Sequence, residues 1–468
     1  MSISNQISAS QPKSRVGLTV LALSLGTSLN PLNSSMIAVA LVVLRGDFGL
    51  DVGTVTWVVT SFYLASAAGQ PLMGRLADRF GPRRLFMLGM VIVALSCALA
   101  PLATNFLLVC LARALMAIGT ATAFPSAVVM VRALSAVAKV SSTRPLSRIQ
   151  MANTVGAALG PVVGGLLISV AGWQWLFLIN VPLALISLLG VKFFAPADPP
   201  REQGSLGSLL KASDLPGIAA FTLTLVLLIM GLLDALPGYR GWLLGLAPLA
   251  AALFAWRELA VQRPFLDLRL LSRNRPLLLI YLAFLVFNGV YYVGFFGLPQ
   301  LLEQSAGYPS NVVGLLMLPL AAISVVATPL AARAIDRFGV RSMLITGVLV
   351  LLLGVALLWL LTVSYAPPLV LLLTAALGLP FAAVNIAASQ GMYASTPAKD
   401  SGVAAGILQT CRYIGAIAAT VMIGVFYAPG VNQQQWSQLV LAIAGLAVLA
   451  LVITLFWRPG RAETRSKL

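Results

Sequence analysis

The sequence predicts an all-α integral membrane protein, two related six-helix bundles with two additional central helices between them, and three observations carry that prediction. Of the 468 residues, 59% are hydrophobic and only 9% charged, with a mean hydropathy of +0.96, far more apolar than a soluble globular chain. The apolar residues fall into runs of about 20 or more, the length a helix needs to cross the hydrocarbon. Finally, the charged loop GRLADRFGPRR beginning at Gly74 recurs as ARAIDRFGVRS beginning at Ala332, at an offset of 258 residues.

Runs bounded by charge, Gly or Pro place the spans in order. After a tail at 1–15, the first run at 16–44 follows a polar start and is too long for a signal peptide, so it reads as helix 1. Helices 2 to 6 follow near 54–73, 85–103, 106–131, 149–170 and 175–195, completing an N-terminal bundle over 16–195. The segment 196–275 holds two more spans, near 215–233 and 241–260, between polar linkers, and reads as an insertion. A second bundle occupies 276–457, with spans near 276–302, 310–332, 342–362, 367–393, 401–427 and 436–457, before a tail at 458–468. Each copy of the charged loop then lies between the second and third spans of its bundle, and the total is fourteen. Fourteen spans use about 280 positions and leave no room for a soluble domain.

The +17 formal charge follows the same plan. Lys13 and Arg15 lie in the first tail and Arg458, Arg461, Arg465 and Lys467 in the last, so both termini are expected in the cytoplasm. With that orientation all but four of the 30 Lys and Arg are cytoplasmic: Arg45 and Arg240 fall outside, and Arg113 and Arg412 fall within helices. Bases divided among short loops, without interleaved stacking aromatics, argue against a nucleic-acid partner. The chain has no His, which excludes imidazole bases, His-ligated metals and Ser-His-Asp triads. Cys97, Cys110 and Cys411 lie in apolar runs without paired spacing, as packing residues rather than a metal set, and no cofactor is expected. The final Ser466, Lys467 and Leu468 match a peroxisomal address by chance alone. No Gly-x-x-x-x-Gly-Lys-Ser/Thr loop occurs, so the chain is not expected to hydrolyse ATP.

Four local patterns carry chemistry. In the repeated loop, Gly74 permits close helix approach, Gly81 and Gly339 a tight turn, and Asp78, Arg79 and Arg83 superpose on Asp336, Arg337 and Arg341. On helix 4, Arg113 heads RALMAIGTA, an intramembrane cation that is either functional or snorkels to the nearer interface. On helix 5, Gly156, Gly160, Gly164 and Gly165 lie on nearly one face, with Pro161 interrupting the backbone ladder. Before helix 6, AGWQWLFLINVP places Trp173 and Trp175 at the expected outer interface.

These patterns resemble the major facilitator superfamily, and more narrowly its fourteen-helix drug:proton antiporter family, over almost the whole chain. The resemblance implies a major facilitator fold, alternating access between the two halves, and a cytoplasmic clasp formed by the repeated loop. It also implies a multi-pass protein of the bacterial cytoplasmic (inner) membrane, acting as a monomer that exports small amphipathic molecules in exchange for protons. Two departures matter. Met116 and Ala117 stand where the family's helix-4 signature has Gln and Gly, and Asn33 stands in LNSSMIAVAL where helix 1 usually carries an Asp. Asn cannot titrate. The remaining proton-coupling candidates are Glu303 at the outer end of helix 9, Asp234 at the outer end of helix 7, and Arg113 itself; an interfacial carboxylate can equally be structural.

Substrate is expected near the midplane between the halves. Candidates are Asn30 and Asn33 on helix 1, with Ser34 and Ser35 beside them, and the helix-9 run FNGVYYVGFF. There Phe287, Tyr291 and Phe295 form one i, i+4 line and Asn288, Tyr292 and Phe296 the next. Asn385 and Gln390 on helix 12 and Gln409, Arg412 and Tyr413 on helix 13 complete the set. An aromatic wall with amides suits amphipathic or cationic organic molecules, although the same stripe would serve helix packing. Two embedded arginines without a midplane carboxylate suggest an alternative: a proton-independent or differently coupled transporter of an anionic or zwitterionic metabolite or lipid. A membrane enzyme would need nucleophile, base or metal ligands at one depth, and a sensor an output domain; neither is found.

Overall fold

The computed structural model describes residues 13–137, 143–198, 214–261, 264, 268–396 and 401–458. The long helices are α1 (Lys13–Met36), α2 (Trp57–Phe80), α3 (Pro82–Leu99), α4 (Phe106–Ala121, continued by Ala123–Val137), α5 (Thr143–Ala171) and α6 (Asn180–Phe194). Next come α7 (Leu215–Leu232) and α8 (Arg240–Ala260). The second bundle is α9 (Arg275–Gln304), α10 (Ser310–Phe338), α11 (Val340–Leu357), α12 (Pro367–Ala394), α13 (Ser401–Phe426) and α14 (Gln433–Phe456). No strand occurs among the described residues.

Among the described residues, twelve helices are long and apolar enough to cross a membrane, and thirteen if the bent first pair is one span. That pair is Val16–Val39 and Leu41–Phe48, which meet at 62°, so the expected single run 16–44 is broken. Pro31 inside α1 has no N–H to donate, and the chain tightens into a 3₁₀ turn at Ile37–Val39 before Leu41. The expected seventh span is shorter than the others. Its apolar stretch is Pro216–Leu232, opened by a proline and closed just before Asp234, whose φ of 51° turns the chain out of helix.

The two bundles repeat one packing scheme. In the first, α1 packs on α5 and α6, α2 on α4, and α3 on α4 and α6; in the second, α9 packs on α13 and α14, α10 on α12, and α11 on α12 and α14. Between bundles the contacts are α5 on α10 and α2 on α13, which exchange under the same correspondence. This is pseudo-two-fold symmetry, the expected consequence of the sequence repeat. The inserted α7 and α8 pack chiefly on each other, and α7 touches the seam between α2 and α13.

Both copies of the repeated loop serve the same joint. Gly81 (φ 98°) and Gly339 (φ 83°) make the turn in a region that side chains avoid. Arg83 Nη2 then donates to the Lys192 carbonyl at 2.5 Å in the last turn of α6, and Arg341 Nη2 to the Leu455 carbonyl at 2.9 Å in the last turn of α14. Each guanidinium satisfies a carbonyl that the helix end leaves orphaned, with favourable dipole charge. The first copy also gains a carboxylate from the linker after α6: Asp198 accepts from the Arg83 and Arg84 backbone N–H groups, each at 3.0 Å, at the start of α3. The surroundings of Gly74 and the side chains of Asp78 and Arg79 lie outside what the structure describes, whereas Asp336 and Arg337 are exposed. We call this the tail face, because α1 begins and α14 ends on it, and the opposite one the loop face.

Candidate functional site

The seam between the halves runs from the loop face to mid-bundle. On one side α5 meets α10 backbone to backbone: a Cβ on Gly165 would come within 2.5 Å of the Ser310 carbonyl, and one on Gly314 within 2.5 Å of the Pro161 carbonyl. Gly156, Gly160 and Gly164 turn instead toward α1, where a Cβ on Gly160 would meet Ser35 Oγ at 1.7 Å. The glycine stripe thus splits, with three members closing the N-terminal bundle and Gly165 sealing it against the other. On the second side, Gly53 and Gly424 lie close with Leu233 of the insertion beside both, Thr60 and Thr420 hydroxyls bond at 2.9 Å, and Gln70 Nε2 donates to the Tyr413 hydroxyl at 3.2 Å.

Aromatic rings fill the centre. Tyr63 of α2 has its ring 5.6 Å from both Tyr292 and Tyr413 and 6.2 Å from Phe296, so one N-terminal residue is surrounded by three of the opposite bundle. The α9 stripe forms as expected from its periodicity: Phe287 stacks on Tyr291 at 6.3 Å and Tyr291 on Phe295 at 6.1 Å. Phe381 of α12 lies against Tyr291 at 4.3 Å and was not singled out from the sequence, although it precedes Asn385 by one helical turn.

The polar candidates divide into sealed and open groups. Asn33 is 2% exposed and exchanges two bonds with Asn180 of α6, Asn33 Nδ2 to Oδ1 at 2.6 Å and Asn180 Nδ2 back to Asn33 Oδ1 at 2.8 Å. Asn288 is buried and donates to the Phe284 carbonyl of its own helix at 2.6 Å. In this conformation neither offers its amide to a ligand. Asn30 is half-buried and bonds Thr120 of α4 at 2.9 Å. Open to the space between α9, α12 and α13 are the half-buried Asn385 and Arg412, joined by Arg412 Nη2 to Asn385 Oδ1 at 2.5 Å, with the guanidinium 5.6 Å above the Phe284 ring. Gln390 and Gln409 are half-buried nearer the tail-face ends of α12 and α13.

Arg113 occupies a different environment. It is 2% exposed, donates to the Val58 and Asn33 carbonyls at 3.3 and 3.4 Å, and lies 4.5 Å over the Phe62 ring. Asn33 is in the last turn of α1, so the C-terminal end of that helix provides negative potential beside the guanidinium. The side chain is therefore enclosed among α1, α2 and α4 rather than snorkelling to an interface. Trp173 also differs from expectation: it is 4% exposed and its indole donates to Asp47 at 2.8 Å, whereas Trp175 is exposed.

At the loop face, Glu303 is half-buried in the last turn of α9 beside Ser310, and its Oε1 has no hydrogen-bond partner. Asp234 is exposed at the end of α7. A polar, open cavity of about 520 Å³ lies nearby, lined by Gln304, Ser305, Tyr365 and Asn432.

Two pseudo-symmetric bundles of membrane-length helices, meeting along two seams around an aromatic and polar centre, define a membrane transporter rather than an enzyme. The chain belongs to the Major Facilitator Superfamily, which residues 23–420 match and residues 313–468 match a second time. It is 34% identical over 436 residues to the uncharacterized MFS-type transporter YwoD of Bacillus subtilis (strain 168), covering 92% of this chain and 95% of that one. It is 29% identical over 456 residues to the tetracenomycin C resistance and export protein of Streptomyces glaucescens, covering 92% and 80% of the two chains. Among solved structures, a bacterial homolog of the human lysosomal transporter Spinster, inward-facing and unoccupied, superposes with a TM-score of 0.66 at 16% identity, covering 98% of this chain and 99% of that one. That likeness concerns the fold.

Proposed function

We propose that the protein exports small amphipathic, drug-like molecules across the cytoplasmic membrane by alternating access, as a fourteen-span monomer with both termini in the cytoplasm. The observation that carries this reading is the pair of symmetry-related seams: α5 on α10 and α2 on α13 are closed from mid-bundle to the loop face, and half-buried polar residues of α12 and α13 lie on the tail-face side. Rocking the halves about this centre would open the seams and present the aromatic cluster to the opposite face. The names of relatives support efflux, since they include a tetracenomycin C resistance and export protein and the multidrug efflux pump LfrA of Mycolicibacterium smegmatis. The basic tails support the orientation.

Proton antiport is the coupling we propose, with Glu303 as the titrating group. Its carboxylate interacts with the Ser310 side chain, and the Ser310 carbonyl abuts Gly165 of the other half, so a change in its charge acts where the loop-face seam must open. Asp234 is exposed on the insertion, a weaker position, and Arg113 acts through its helix contacts instead. Efflux of a fluorescent amphiphile from proteoliposomes, with and without an imposed pH gradient and with internal pH recorded, tests the reading. Substrate-driven proton movement that Glu303→Gln removes is the expected result. Transport without proton movement would instead favour a uniporter or exchanger, the reading that two embedded arginines already support.

A further inference from the structure

The two embedded arginines differ in access. Arg113 is sealed, with carbonyls of two helices and an aromatic face around it, and its Nη2 is buried without an acceptor. Arg412 is half-buried and has one side-chain acceptor, Asn385 Oδ1, which is an uncharged amide; its Nε is buried without any acceptor. A guanidinium in a low-dielectric cleft with neutral partners only is costly, and its planar fork is suited to a carboxylate or related acid group. Beside it stands the aromatic slab of Phe381 on Tyr291, continued by Phe287 at 6.5 Å from Phe381. Charge and apolar surface are thus adjacent on three helices of a single bundle.

We propose that this cleft takes the anionic form of an aromatic organic acid, its acid group on Arg412 and its ring on the Phe381–Tyr291 slab. The inference rests on the transport reading and names the substrate class for it. Arg412 supplies the counter-charge, Asn385 holds the guanidinium in place while the cleft is empty, and the half-buried Phe381, backed by the buried Tyr291, receives the ring. A cationic amphiphile of the same body would meet an uncompensated like charge, so the site discriminates by sign.

Equilibrium dialysis of the purified full-length chain in detergent, against radiolabelled 1-naphthaleneacetate, its neutral amide and 1-naphthylmethyl-trimethylammonium, tests the assignment at fixed aromatic body. The acid is expected to bind at least about tenfold more tightly than the amide, and the cation least tightly. Arg412→Gln should lower the acid to the level of the amide, with amide binding unchanged within about twofold, while Arg412→Lys keeps part of the preference. If Arg412→Gln also loses the amide through misfolding, Asn385→Asp decides the matter: it places a carboxylate on the guanidinium and should abolish the acid preference while amide binding persists. A wild-type protein that binds the cation as tightly as the acid, or an Asn385→Asp variant that keeps its full acid preference, overturns the proposal. Failure of the transport reading would look different: Arg412-dependent binding of the acid without its counterflow across proteoliposomes.

Discussion

Asn33 and Asn180 lie 147 residues apart and exchange two amide hydrogen bonds, at 2.6 and 2.8 Å, across the interface of α1 and α6. The residue at which family resemblance leads one to expect a titrating Asp is therefore half of a closed, neutral pair. Asn33 also donates to the Leu29 carbonyl at 2.8 Å, and Asn180 to the Leu176 carbonyl at 2.8 Å, so both amides are fully engaged within the bundle. The pair holds α6 on α1 and leaves nothing there to carry a proton.

A double-mutant cycle follows from that reciprocity. Asn33→Leu or Asn180→Leu alone leaves a buried amide facing an apolar group and should cost about 1–2 kcal/mol. Together they should cost less than the sum, because no orphan remains. Thermal melting of the detergent-solubilised protein measures this. Strictly additive losses would mean that the two amides do not act as a unit.

Asn33→Asp is expected to introduce a pH dependence that the wild type lacks. An ionised carboxylate at Asn33 could not donate to Asn180 Oδ1, whereas its protonated form could. The neutral acid keeps that bond and the ionised form loses it, so raising the pH is expected to weaken the fold of the variant. Melting curves at pH 5 and pH 8 should show the variant relatively weaker at pH 8. A higher melting temperature at pH 8 would indicate that the new carboxylate has turned to Arg113.

The two kinds of glycine in α5 should respond differently to substitution. Gly160→Ala directs its methyl into Ser35 Oγ and lies 2.9 Å from the Met36 backbone nitrogen, both within one bundle, so it should lower the melting temperature, with a cost of about 1–3 kcal/mol. Gly314→Ala places a methyl 2.5 Å from the Pro161 carbonyl of the opposite bundle. The clash exists only while the loop-face seam is closed, so the population should shift toward the open seam with little loss of fold. Thiol labelling of a cysteine introduced at Ser310 reports the shift; unchanged labelling would show that the seam yields locally instead.

How far the sequence foretells this arrangement depends on how local each signal is. The α9 stripe is readable because i, i+4 spacing is a property of one helix, and the stacked Phe287, Tyr291 and Phe295 rings follow from it. The two motif arginines were readable as a repeat, but their acceptors, the carbonyls of Lys192 and Leu455, emerge only when α6 and α14 return to the same face. Asp198 carries no sequence signal at all, since it lies in a polar linker and becomes a helix cap by folding back 115 residues onto Arg83. Tyr63 was equally hidden: its role depends on meeting Tyr292 and Tyr413 across the seam. The seventh span was legible to within one residue, since its helix runs Leu215–Leu232 and the backbone turns at Asp234.

Asp198 provides a test of the asymmetry between the two clasps. It accepts from two backbone N–H groups at the start of α3, where a carboxylate also complements the helix dipole. Asp198→Ala should therefore cost about 1 kcal/mol. Arg341→Ala, which removes one bond from an exposed guanidinium in the other half, should cost less. Melting in low and high salt separates the two contributions, since screening weakens the dipole attraction and leaves the Asp198 hydrogen bonds. Equal losses in both halves would show that the linker carboxylate adds nothing to the repeated motif.

Arg113 is the position where loss of function and loss of fold can be separated most clearly. Its guanidinium bridges the Val58 carbonyl of α2 and the Asn33 carbonyl at the end of α1, and its charge rests on Phe62. A lysine keeps the charge but has a single ammonium in place of a planar fork, so it cannot hold both carbonyls in the same geometry. Arg113→Lys should preserve folding while slowing transport at least about tenfold, because the broken end of α1 is no longer tied to α2. Arg113→Met removes the buried charge and its desolvation cost together, and should melt near the wild type while transport is lost. Proteoliposome efflux and melting, measured on both variants, decide the point. If Arg113→Met transports normally, the helix-4 cation is a packing residue; if both variants unfold, the bridge between α1 and α2 is a structural joint rather than a moving part.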